Sequence, residues 1–104
     1  MEKYKTELTD NLFKAILTLK DEKECYKFFD DICTIKEIQD IAQRLEVARL
    51  LGEGRAYNDV AKKTGASTAT ISRVNKCISY GSGGYELVLK RLFKNKDWLQ
   101  WQII

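Results

Sequence analysis

Apolar residues in this chain recur at every third or fourth position along nearly its whole length and nowhere alternate over more than a few positions. Side chains spaced in that way return to one face of an α-helix, whereas a half-buried strand would need strict alternation, so the periodicity predicts an all-α chain. Leu8, Leu12, Ala15, Ile16 and Leu19 mark a first helix over about Thr6 to Lys20. Asp21 followed by Glu24 suits the start of a second, whose bulky apolar end is Phe28, Phe29, Ile32 and Cys33. Thr34-Ile35-Lys36-Glu37 then offers a capping box, in which the threonine hydroxyl accepts from an early backbone N–H while the glutamate reaches back. A third helix carries the longest stripe, Ile35, Ile38, Ile41, Ala42, Leu45, Ala48 and Leu51, and Gly52 and Gly54 are expected to end it.

The chain contains no proline, so glycine and helix caps supply the punctuation. Two short helices are predicted around Tyr57 to Thr64 and Thr68 to Ser79, separated by Gly65-Ala66-Ser67. Tyr80-Gly81-Ser82-Gly83-Gly84 reads as a joint, and Tyr85, Val88, Leu89, Leu92 and Phe93 mark a last helix. No strand precedes that glycine run and no Gly-Lys-Ser/Thr follows it, which favours a plain flexible linker over a phosphate-binding loop. At 104 residues there is material for one domain, assigned to residues 1–94, followed by a short aromatic tail over 95–104. Trp98 and Trp101 in that tail are expected to pack against the body or a partner subunit, because large aromatics seek burial.

Composition removes several classes of function. Hydrophobic residues make up 44% of the chain and charged residues 32%, the balance of a folded protein rather than of a disordered tail. There is no histidine, which takes away the commonest general base and the Ser-His and Cys-His nucleophile pairs, so the chain is not expected to be an enzyme. Cys25, Cys33 and Cys77 are widely spaced, and with no histidine beside them they read as reduced, mostly buried thiols rather than zinc ligands. The acidic patch of Asp21, Glu22, Glu24, Asp30 and Asp31 reads as a solvated helix face, so no metal or other cofactor is expected. No apolar run is long enough to cross a bilayer, and the polar start from Met1 to Thr6 lacks a secretory signal, so the expected compartment is the cytoplasm, with no membrane partner.

The net charge of +3 conceals an uneven distribution. From Arg55 to Ser79 the chain carries Arg55, Lys62, Lys63, Arg73 and Lys76 against the single acid Asp59, so this stretch holds +4 and the remainder sums to −1. A mildly acidic scaffold with one basic segment is a common footprint of nucleic-acid binding. The same stretch contains the two short helices. Counted from Tyr57, a helix-turn-helix places apolar residues at the fourth, eighth, fifteenth and eighteenth positions, a small residue at the fifth and glycine at the ninth. The chain supplies Val60, Thr64, Ile71, Val74, Ala61 and Gly65, with Thr64 the one partial departure.

Beyond the N-cap Ser67, the residues Thr68, Ala69, Thr70, Ser72 and Arg73 are short or polar, which lets a helix sit deep in the major groove. Threonine methyls and alanine suit thymine methyls, hydroxyls serve several base edges, and arginine forks onto guanine. A solvated polar helix face is the alternative, but core pattern, cap and charge agree on DNA. The interface predicted from sequence is therefore Arg55, Asn58, Lys62, Lys63, Ser67, Thr68, Ala69, Thr70, Ser72, Arg73 and Lys76, with the lysines and Arg55 on phosphates and the residues from Thr68 to Arg73 nearest the bases. The expected function is sequence-specific regulation of transcription, as a repressor. The competing reading is a helical protein-protein adaptor that uses the same fold without touching DNA.

The run from Cys33 to Ile78 resembles the Trp repressor family, and especially its YerC/YecD-type relatives. The resemblance is carried by Arg44-Leu45-Glu46-Val47-Ala48-Arg49-Leu50-Leu51, by Gly54, and by Gly65-Ala66-Ser67-Thr68-Ala69-Thr70-Ile71-Ser72-Arg73. It implies six helices, an intertwined homodimer in which the first three helices and the last interlock, and a reading head on each side binding double-stranded DNA. It also implies a candidate effector pocket at Thr34, Arg44, Arg73, Val74 and Cys77, since the family's corepressor indole lies between two arginines that match Arg44 and Arg73. Where the family has a glycine and a serine, however, this chain has Val74 and Cys77. A valine would fill the pocket from within and a thiol is a weak hydrogen-bond partner for an ammonium, so L-tryptophan is not the expected effector and a smaller one could take its place.

Overall fold

Side-chain caps set where four of the described helices begin. The structure, a computed structural model, describes residues 3–93; the tail residues Trp98 and Trp101 lie outside the described residues. Among these there are six helices and no strand, and the chain divides into two compact units, Met1–Ile38 and Gln39–Ile104.

In the first unit, Thr6 caps α1 (Glu7–Leu17): its hydroxyl accepts from the Thr9 N–H at 3.2 Å while its own N–H donates to the Thr9 hydroxyl at 2.8 Å. The helix stops short of the expected Lys20. Thr18 turns its hydroxyl onto the Ala15 carbonyl, and the Lys20 N–H donates to Glu24 at 2.9 Å, so Lys20 already belongs to the start of the next helix. That helix, α2 (Glu22–Ile32), is capped by Asp21, which accepts from the Glu24 N–H at 2.9 Å. Phe28 and Phe29 meet edge to face, with ring centroids 5.6 Å apart. Neither helix contains a fully buried residue; Leu8 and Leu17 are 80% and 83% exposed.

The predicted capping box opens α3 (Ile35–Gly52), with Glu37 N–H donating to the Thr34 hydroxyl at 3.1 Å and Thr34 N–H to the Glu37 carboxylate at 2.8 Å. The long apolar stripe on this helix divides. Ile35, Ile41 and Ala42 are exposed, whereas Val47, Ala48, Leu50, Leu51 and Gly52 near the other end are buried. Gly52 thus remains inside the helix, and the terminating glycine is Gly54, whose φ of +85° is a left-handed conformation that favours a residue without Cβ. Its N–H donates to the Leu51 carbonyl at 2.9 Å and the following Arg55 N–H to the Leu50 carbonyl at 3.2 Å, the pair of bonds of a Schellman motif.

The core of the second unit gathers Val47, Ala48, Leu50 and Leu51 of α3, Val60 of α4 (Tyr57–Thr64), Ala66 of the turn that follows, Ile71 and Val74 of α5 (Thr68–Tyr80) and Leu89 of α6 (Gly84–Phe93). Each large apolar side chain buried there stabilises the fold by roughly 1.5–3 kcal/mol. The expectation of buried thiols is not met: Cys25 and Cys77 are exposed on α2 and α5, and Cys33, the C-cap of α2, is half-buried. No helix among the described residues is long and apolar enough to cross a membrane.

Candidate nucleic-acid interface

Helices α4 and α5 meet around a turn whose three residues each have a separate task. Gly65 adopts φ +73° and donates its N–H to the Ala61 carbonyl at 2.9 Å, closing α4. Ala66 is buried in the core, and Ser67 caps α5 by accepting from the Thr70 N–H at 3.1 Å. Thr64, the departure from an apolar position, is explained by its hydroxyl. It donates to the Val60 carbonyl at 2.7 Å and accepts from the Ala66 N–H at 3.1 Å, while the Thr64 carbonyl accepts from Gln43 at 3.1 Å. The side chain therefore satisfies a buried turn amide that an aliphatic residue would leave without a partner.

Helix α5 has two distinct faces. Ile71 and Val74 are 1% exposed and point into the core. Ala69, Ser72, Arg73 and Lys76, at spacings of three and four, form one exposed row on the other side, and Thr68 stands exposed at the first position. Thr70 is half-buried and its hydroxyl is 3.1 Å from that of Ser67, so it is engaged in the cap rather than fully presented outward.

The basic residues fall into two groups. Among the described residues Lys62, Arg73 and Lys76 are exposed and make no ion pair. Arg55 and Lys63 are also exposed but are both drawn to Asp59, at 3.0 Å and 3.9 Å, and Arg55 further contacts Glu53 at 3.4 Å. The hydrogen bond to Asp59, followed by that to Glu53, raises the Arg55 pKa above its ordinary value. Asn58 is exposed in the first turn of α4.

A cavity of about 570 Å³ lies between α3, the end of α5 and the start of α6. Of the residues read from sequence as an effector pocket, Arg44 and Cys77 line it. Val74 does not, being buried in the core, and Thr34 is exposed at the start of α3. Arg73 is not in the wall, but its charge reaches Tyr85, which is. Burial, reinforced by Cys77 and opposed by Arg44 and Arg73, pushes the Tyr85 phenol above its usual pKa. In the sequence Tyr85 reads only as an apolar marker of the last helix; the one signal of a further role is its position, directly after the glycine run. That run is a shaped turn. A Cβ on Gly81 would come within 2.3 Å of the Cys77 carbonyl oxygen, and Gly83 has φ +86°.

Residues 7–93 match the family model of the Trp repressor protein. The uncharacterized protein YerC of Bacillus subtilis (strain 168) is 56% identical over 92 residues, 88% of each chain. A TrpR-like protein from Eubacterium eligens ATCC 27750 superposes with a TM-score of 0.85 at 56% identity, over 88% of this chain and 95% of that one. A candidate Trp repressor from Staphylococcus aureus gives the same TM-score of 0.85 at 47% identity, over 88% of this chain and 91% of the other.

Proposed function

This chain belongs to the Trp repressor family, a family of regulators, and we propose on that footing that it is a sequence-specific, double-stranded DNA-binding repressor that acts as a cytoplasmic homodimer. The observation that carries the reading is the two-faced helix α5: Ile71 and Val74 lock it to the core, and the row Ala69, Ser72, Arg73 and Lys76 is left for base edges and phosphates. Lys62 on α4 adds a cation for the DNA backbone on the same basic segment. Large apolar side chains left uncovered, among them Ile35 at 75% exposure, together with Leu87 and Leu92, support a second copy as partner, since a lone chain would leave them in water.

Tryptophan is not part of this reading. In the cavity wall Cys77 is a weak hydrogen-bond partner for an ammonium group, and the Arg44 charge opposes one. DNA binding proceeds without tryptophan.

Fluorescence anisotropy of a labelled mixed-sequence duplex across a salt series tests the proposal. A DNA-binding protein gives an affinity that falls steeply and log-linearly with salt. A helical adaptor that merely shares the fold gives no salt-graded binding, and that result would overturn the assignment.

A further inference from the structure

Six charged residues form a ladder of alternating sign from the end of α3 across the turn into α4. Arg49 bonds Glu46 at 2.7 Å and Glu53 at 2.5 Å; Arg55 bridges Glu53 at 3.4 Å and Asp59 at 3.0 Å; Lys63 approaches the same Asp59 oxygen at 3.9 Å. The first half of the ladder is anchored, since Arg49 also lies 5.5 Å from the centre of the Phe93 ring. The second half is exposed, and its central carboxylate holds two cations at once. Both are basic residues of the segment read as the DNA-binding surface. Asp59 also stands at the third position of α4, whose N-cap Ala56 supplies no side-chain hydrogen bond, so its charge lies near the positive end of the helix. Two cations and a helix start converging on one anionic oxygen is the arrangement that a DNA phosphate would otherwise receive.

We propose that Asp59 is a built-in competitor for DNA phosphate, occupying Arg55 and Lys63 in the free protein and so setting a low sequence-independent affinity. The inference rests on the DNA-binding reading above. Exposed ion pairs of this kind are weak and exchange readily, so a phosphate placed by correct docking displaces the carboxylate. Displacement nevertheless costs part of the backbone attraction on every sequence. Binding then leans on the α5 contacts, which differ between sites. The arrangement gives Asp59 a role that its being the sole acid in a basic segment does not by itself reveal.

The test is anisotropy with a random-sequence duplex over a salt series. Asp59→Asn should bind about three- to tenfold more tightly near 0.1 M salt and steepen the slope of log affinity against log salt by about one unit. Asp59→Glu, which keeps the charge, should behave like the native protein. Glu86→Gln makes the same change in net charge by releasing Lys90 on α6, a 2.9 Å pair away from the basic segment, and should give no comparable gain. Combining Asp59→Asn with Arg55→Gln and Lys63→Ala should erase the gain. If Asp59→Asn unfolds, Asp59→Ser, which keeps a hydrogen-bond acceptor near the helix start, must give the same gain. Unchanged or weaker binding by the folded variant, or an equal gain from Glu86→Gln, would overturn the inference while leaving DNA binding intact. Failure of the native protein to bind duplex DNA at any salt would overturn the functional reading and this inference with it.

Discussion

At Thr64 a hydroxyl stands where the helix-turn-helix pattern asks for an aliphatic group, and the turn depends on it. The Ala66 N–H is buried with its residue and has the Thr64 hydroxyl as acceptor, so Thr64→Val should destabilise the protein by about 1–3 kcal/mol even though it matches the pattern better. Urea unfolding that showed equal or greater stability would contradict this. Glu46 offers a second single-residue test. The hydrogen bond from Arg49, aided by its charge and opposed by burial, holds the Glu46 carboxyl below its ordinary pKa. A carboxyl with a depressed folded-state pKa contributes stability that is present above its unfolded pKa and is lost as pH falls through the folded value. Acidification through and below the usual glutamate range should therefore lower the unfolding midpoint of the native protein more than that of Glu46→Gln. Parallel pH curves for the two proteins would show that the pair carries no linkage.

Helix α3 shows how far a periodic stripe can be read. Its start was legible because Thr34 and Glu37 encode a local, reciprocal pair of bonds, and its end was legible to within two residues because only one of the two glycines takes the left-handed turn. Which part of the stripe is buried was not legible. Periodicity gives the face of a helix, but what covers that face is set by residues distant in sequence, and here Val47 and Leu50 are buried although they lie off the stripe. The same reason separates the candidate effector residues. Arg44 and Cys77 share a cavity wall, whereas Val74, on the same helix as Cys77, faces the core. Sequence placed that valine inside the pocket; its position makes Val74→Gly a core deletion, expected to cost about 2–4 kcal/mol from lost burial and added backbone freedom. Thermal unfolding checks that cost. Calorimetric titration of the native protein with L-tryptophan should give no saturable heat, and micromolar binding accompanied by tighter DNA binding would contradict the reading.

For the molecule as a whole, the exposed apolar residues bear on how many chains it takes to make a stable particle. Leu8, Leu17, Ile35, Ile41 and Leu92 are each more than half exposed, and covering them is the physical reason to expect a homodimer. Light scattering at micromolar concentration should return twice the 12.0 kDa mass of one chain, and a 12.0 kDa particle that unfolds cooperatively would count against the dimer. A two-fold symmetric protein carries its symmetry into the DNA it reads, with half-sites about one helical turn apart. Selection of duplexes from a random pool, followed by sequencing of the bound fraction, tests the assignment most directly. The expected product is an enriched motif with approximate two-fold symmetry and half-sites about 10 base pairs apart, weakened or altered by substitution of Ser72 or Arg73. A bound fraction with no enriched sequence, or an enriched motif indifferent to both substitutions, would contradict a reading head on α5.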